Sequence, residues 1–321
     1  MSNVESNNIH LASYFIHSPF AIRHSPSALH SMTRPKGFTL LMLLFPFLWA
    51  GSFIAGKWAL QDFSPEITTL LRFAMATLIL GPFAFKKKAE PGAWSARTLA
   101  VVFLLGVTGM FAYHLLFYYS LKFTTAGNSS LIISTDSLIT VLLAVVFLKE
   151  KLTWRKGVGV AMGFAGVVWV VSDGALGQLL TKGPNLGDLM AFGAALSWGV
   201  YSVLSKPIAH KFPSFDLSLM TYAVAGVLLL PWLFTGQAVH SLGAATFRGW
   251  ASVAYMALFA TGIGYFLYLK GIHVLGAVAT AKFIFLVPVY VLGMAWLFLG
   301  EPVPPHKVFA AGIIIAGLWL A

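Results

Sequence analysis

The sequence has no cysteine and little charge: ten acidic and twenty-one basic residues among 321, or 10% in all. Without cysteine there are no disulfides, no thiolate metal sites and no cysteine nucleophile. Soluble globular domains carry roughly 25% charged residues, so water is not the main solvent for this chain. Polar helix faces are also nearly absent, which excludes a large soluble core built from amphipathic helices. No HExxH, GxSxG or phosphate-binding P-loop occurs. Once the glutamates of two turns are set aside, no carboxylate pair remains for acid–base catalysis. The reading is of a protein that is not an enzyme, with no cofactor and no metal site. The net charge of +11 fits basic loops beside a bilayer better than nucleic-acid binding.

What remains is apolar: 58% hydrophobic residues with 30 Gly and 15 Pro, and a mean hydropathy of +0.82. Gly and Pro are commoner in membrane-spanning helices than in soluble ones. From Phe38 onward, ten apolar runs follow one another: 38–60, 66–85, 98–120, 126–148, 156–172, 187–207, 215–234, 249–270, 276–299 and 306–321. Most have the roughly 20 residues a helix needs to cross about 30 Å of hydrocarbon, where helices satisfy their own backbone. The predicted fold is therefore all-α and integral to the membrane. Residues 1–37, rich in Ser, His and Asn, stand outside this pattern and read as a disordered extension. Its four histidines are weighed as metal ligands and set aside.

Basic residues orient the bundle. With the N-terminus inside, fourteen of the twenty-one fall on inner segments, five on outer ones and two, Arg72 and Lys282, within spans. This asymmetry predicts cytoplasmic N- and C-termini in a multi-pass protein of the inner cell membrane.

The chain also repeats itself. Trp49 and Lys57 in FLWAGSFIAGKW return as Trp198 and Lys206 in LSWGVYSVLSKP, 149 residues on, and the same offset carries Pro82 onto Pro231. Glu150 and Glu301 correspond at an offset of 151. Several coincidences in one order point to duplication, with repeats over 38–172 and 187–321. Each has five spans, an odd number, so the second enters the bilayer from the opposite face. Inverted repeats shelter a site near the midplane that rocking opens to each side in turn.

The W-x7-K pattern opening each half, and the endings FLKEKLTWRKGVGVAMGFAGVV and FLGEPVPPHKVFAAGIIIAG, resemble the EamA domain of the drug/metabolite transporter superfamily. The resemblance covers nearly all of Phe38–Ala321. It implies a ten-helix transporter, often an exporter of amino acids or other small metabolites, by alternating access. A membrane-embedded enzyme and a lipid flippase component are the alternatives. In that family the fourth span often carries a mid-helix proline, as Pro288 stands in the ninth; here Ser137 takes the place, after Asp136.

Candidate site residues follow from polarity inside spans. Ionisable groups there are costly and usually face a cavity or a partner, so Asp136 and Lys282 are expected to meet near mid-depth, binding a zwitterion or coupling to protons. A closed ion pair or a snorkelling Lys282 is the plainer alternative. Asn128, Ser129 and Thr140 mark a polar seam beside Asp136, with Ser130, Ser134 and Ser137 on an adjacent face. Trp49, Trp198 and Tyr201 suggest an aromatic wall for an apolar or cationic group, with packing as the plainer alternative, and His114 beside Tyr113 a proton relay or a structural histidine. Arg72 is expected to reach the outer interface. Lys57 and Lys206 read as snorkelling lysines whose repeat relation permits gating, and Glu150 and Glu301 as turn residues. The expected partners are a small-molecule substrate, the bilayer and candidate coupling protons, in a monomer or homodimer.

Overall fold

A computed structural model describes residues 36–84, 89–177, 181, 183–275 and 277–321. The extension expected over 1–37 lies outside the described residues but for Lys36 and Gly37. Ten long helices are described: α1 (Leu44–Ala59), α2 (Pro65–Leu80), α3 (Ala96–Phe123), α4 (Ala126–Leu148), α5 (Trp154–Val171), α6 (Leu186–Ser205), α7 (Ser214–Leu233), α8 (247–275), α9 (277–299) and α10 (Pro305–Leu320). Seven stretches, covering α2–α5 and α7–α9, are long and apolar enough to cross a membrane by length and composition. The protein is an all-α integral membrane protein made of two five-helix repeats.

Local sequence starts the helices where the turns are short. Ser64, Ser95, Thr125, Thr153 and Thr246 each cap a helix with the side-chain oxygen, accepting from the backbone N–H three residues on. Pro65 follows its cap at the first helical position of α2, where a missing N–H costs nothing.

The duplication is visible in the irregularities. α3 widens into a π-helical turn at Gly106–Ala112, and α8 does so at Met256–Gly264. α4 is interrupted at Ser134–Thr135 and α9 at Phe285–Leu286. Only α9 has a proline there, Pro288. In α4 the hydroxyls of Ser134 and Thr135 donate to the carbonyls of Leu131 and Ile132, each at 2.7 Å. Such back-bonding bends helices, so α4 is interrupted without a proline at Ser137. α4 and α9 end alike, on a left-handed residue: Lys149 (φ 56°) and Gly300 (φ 66°).

Packing follows a two-fold rule. α1 lies against α8 and α9 as α6 lies against α3 and α4, while α2 pairs with α7 and α5 with α10. The first helix of each repeat thus docks into the other repeat. Five crossings per half invert the second relative to the first. α5 and α10 touch backbone to backbone at Gly159 and Gly317, where a Cβ on either would collide with the other's carbonyl oxygen. Small residues favour such close approach in membranes.

Candidate transport cavity and its closures

The π-turns free backbone carbonyls, which must find donors inside a membrane. Trp49 of α1 donates its indole N–H to the Ala260 carbonyl at 3.0 Å, and Ser197 of α6 donates to the Thr108 carbonyl at 2.8 Å. Each repeat's first helix therefore plugs the wide turn of the opposite repeat. The glycines make room: Gly264 faces the Trp49 indole, and Gly109 faces the Tyr201 ring.

Between these contacts lies a cavity of about 440 Å³ at mid-bundle. One wall is aromatic. Trp198 stacks on Tyr201 at 4.8 Å between centroids and meets Tyr113 at 4.9 Å, with Trp49, Tyr222, Tyr265 and Tyr268 completing the lining. The interrupted α4 supplies the polar strip: Ser130, Ser134, Asp136, Ser137 and Thr140. Asp136 opens the second half of α4, where the helix N-terminus favours negative charge, and accepts from the Ser137 hydroxyl at 3.0 Å.

Arg72 also lines this cavity. Its Nε donates to Thr261 Oγ1 at 3.1 Å and its Nη1 to the Tyr118 hydroxyl at 3.3 Å. The expectation of an outward-reaching Arg72 is thereby corrected. Hydroxyls from α3 and α8 hold it at mid-depth, so it has no need to snorkel.

The structure does not bring Asp136 and Lys282 together. Lys282 is exposed, its ammonium 4.6 Å from the Trp319 ring centre on α10, because residue 282 faces outward from α9. Trp49, Tyr113, His114, Asp136, Thr140, Trp198 and Tyr201 all line the cavity; Asn128 and Ser129 do not. Ser129 is fully buried, its hydroxyl 2.6 Å from that of Ser120. His114 is buried, with Nδ1 3.2 Å from the Gly109 carbonyl inside the π-turn, a bond that needs the proton on Nδ1. The sequence reading missed Arg72, although its eighth place among the sixteen residues of α2 was a signal of mid-depth.

Each end of the bundle carries a Lys–Glu contact between repeats. At one end Lys57 lies 3.9 Å from Glu301 and donates to the Thr124 carbonyl at 2.7 Å. Glu301 accepts from the Ala126 and Gly127 N–H groups at 2.9 and 3.2 Å, so it also caps α4 from the other repeat. Thr124 adds a 2.7 Å bond to Asp188 of α6. At the other end Lys206 donates to Glu150 at 2.9 Å, with Lys156 at 3.9 Å. Exposure separates the two: 25% and 14% for Lys57 and Glu301, against 42% and 43% for Lys206 and Glu150. The lysines expected to snorkel and the glutamates expected only to turn the chain thus meet each other.

The profile of the EamA-like transporter family matches residues 37–172 and again 185–321. The chain belongs to that family. Among similar proteins, an uncharacterized transporter of Archaeoglobus fulgidus is 30% identical over 286 residues, covering 88% of this chain and 96% of that one. The uncharacterized transporter YyaM of Bacillus subtilis is 27% identical, covering 88% and 92%. A probable terminal-alkyne amino-acid exporter of Streptantibioticus cattleyicolor is 28% identical, covering 85% and 89%. A crystal structure at 20% identity shares the fold with a TM-score of 0.56, covering 88% of this chain and 96% of its own. An EamA-like protein with an intramembrane cavity is a multi-pass membrane transporter whose partners are a small molecule and the bilayer.

Proposed function

We propose that the chain is a secondary active transporter exporting a small metabolite, such as an amino acid, by alternating access to the central cavity. The observation that carries this is the unequal engagement of two repeat-related contacts around one cavity. Lys57–Glu301 sits in a half-buried hydrogen-bond network, and Lys206–Glu150 is an exposed pair. Inverted repeats exchange conformations when a transporter turns over, so in the opposite state Glu150 takes the capping role at α9 that Glu301 holds at α4.

The repeats span 38–172 and 187–321. Both termini lie in the cytoplasm, as the distribution of basic residues argues, and the membrane is the inner cell membrane. Tyr113, Asp136, Thr140, Trp198 and Tyr201 contact substrate in this reading. Asp136 is the candidate proton-coupling group in a monomer or homodimer. The similarity to a protein named as an amino-acid exporter supports that substrate class.

Purified protein in liposomes, loaded with a mixture of labelled amino acids, tests the reading. Release faster than from protein-free liposomes, and dependent on an imposed ion gradient, is the expected result. Leakage equal to protein-free liposomes under every gradient rejects it.

A further inference from the structure

We infer that Arg72 is the carboxylate-binding residue of the cavity. The inference rests on the transport reading for its purpose, but its geometry stands separately. A guanidinium remains ionised at any physiological pH, and an ionised group at mid-membrane is retained only where a partner or a wet cavity compensates it. Among the described residues, no carboxylate lies within ion-pair distance of Arg72. Its hydrogen bonds go to two neutral hydroxyls, Thr261 and Tyr118. The charge is therefore held in place but not neutralised.

The holding is specific. Tyr118 is fully buried and donates its own proton to Met256 Sδ at 3.2 Å, leaving its oxygen to accept from Arg72. Thr261 comes from the π-turn of α8. Helices α2, α3 and α8 together fix the guanidinium plane, and Nη2 makes no hydrogen bond among the described residues. A preorganised guanidinium with a free edge suits a planar oxyanion.

A carboxylate fits better than a phosphate. Arg72 is the only Lys or Arg among the described cavity-lining residues, so no second cation faces a dianion. Asp136 lines the same cavity; it repels further negative charge and attracts an ammonium. Beyond these two charged groups and the Ser and Thr hydroxyls, the wall is aromatic and apolar. The ligand is accordingly a zwitterion with an apolar body: carboxylate on Arg72, ammonium towards Asp136, side chain among Trp198, Tyr201 and Tyr222. Tyr118 and Thr261 are positioning residues.

The test uses phenylalanine, leucine and methionine, with the carboxamide and the decarboxylated amine of each. Two readouts run in parallel: thermal stabilisation of the detergent-solubilised protein and flux in liposomes. The acids are expected to bind, with the amides and amines weakened about 10- to 100-fold, the usual worth of a hydrogen bond to a charged group. Arg72→Gln should abolish that preference and Arg72→Lys restore part of it. Tyr118→Phe should raise the half-saturating concentration while leaving maximal flux nearly unchanged. Arg72-dependent binding of acids without flux keeps the site and rejects the transport reading. Flux of acids and amides alike, or acid affinity unchanged in Arg72→Gln, keeps transport and overturns the site. An absence of acid binding to the unaltered protein overturns the site as well. A cooperative unfolding transition in Arg72→Lys guards against reading a misfolded variant as a lost ligand contact.

Discussion

Lys57 and Glu301 stand 3.9 Å apart across the boundary between the repeats, and their counterparts Lys206 and Glu150 stand 2.9 Å apart at the opposite end. In each contact the lysine closes the first helix of one repeat, and the glutamate follows the left-handed turn of the other. The pairs differ in what surrounds them. Glu301 also caps α4, whereas among the described residues the Glu150 carboxylate meets only lysine side chains.

Removing the half-buried Glu301 charge should therefore open its end of the bundle. With Ser52→Cys as a cavity reporter in this cysteine-free chain, Glu301→Gln is expected to speed labelling by a membrane-impermeant thiol reagent applied from the Glu301 side. Glu150→Gln should change that rate much less. Equal rates in all three proteins would count against a closure at Glu301.

The exposed pair sets a pH response. The hydrogen bond from Lys206, aided by the nearby Lys156 charge, holds the Glu150 carboxyl below the ordinary glutamate range against a smaller opposing effect of burial. A lowered folded pKa means the folded chain binds fewer protons than the unfolded one. The contribution is thus complete above the ordinary value and is lost as pH falls through the lowered one. Thermal midpoints taken between about pH 3 and 6 should fall more steeply for the unaltered protein than for Glu150→Gln. Exposure keeps the difference small.

The left-handed turns predict opposite signs. Lys149 holds a positive φ that glycine tolerates freely, and Gly300 is glycine at the equivalent place. Lys149→Gly should stabilise by up to about 1 kcal/mol, and Gly300→Ala should destabilise by about the same amount. Thermal unfolding in one detergent reads both.

The contact of α5 with α10 has no room for a side chain. Gly159→Val or Gly317→Val must separate two backbones, and a loss of about 1–3 kcal/mol is expected from overpacking. Gly157→Val, at a position with open space, is the control and should unfold with the unaltered protein apart from a small propensity gain.

Single cysteines test the inversion directly. Placed at Lys151 and at Val303, within the two corresponding turns, they should react from opposite faces of sealed vesicles. Reaction of both from one face would contradict two inverted repeats.

Much of this was legible in the one-dimensional pattern. Apolar runs of bilayer length, separated by polar turns, leave the backbone no choice but helices, and the recurrence of W-x7-K with the Glu-bearing turns exposes the duplication and its inversion. Asp136, Tyr113, Trp198 and Tyr201 stand out as candidates because polar and aromatic groups at mid-span either line a cavity or pack against neighbours, and the sequence does not choose between the two. Hydropathy could not show which way a side chain points from its helix, nor what stands opposite it. Lys282 and Arg72 are alike in the sequence, each a lone cation inside an apolar run. Only the assembled bundle turns one outward onto Trp319 and fastens the other beside the cavity to Tyr118 and Thr261. The plugging of the π-turns and the joining of Lys57 to Glu301 likewise depend on partners from distant segments. Helix formation is decided by local hydrogen bonding and solvent, whereas the fate of a buried charge is decided by the groups that tertiary packing brings to it.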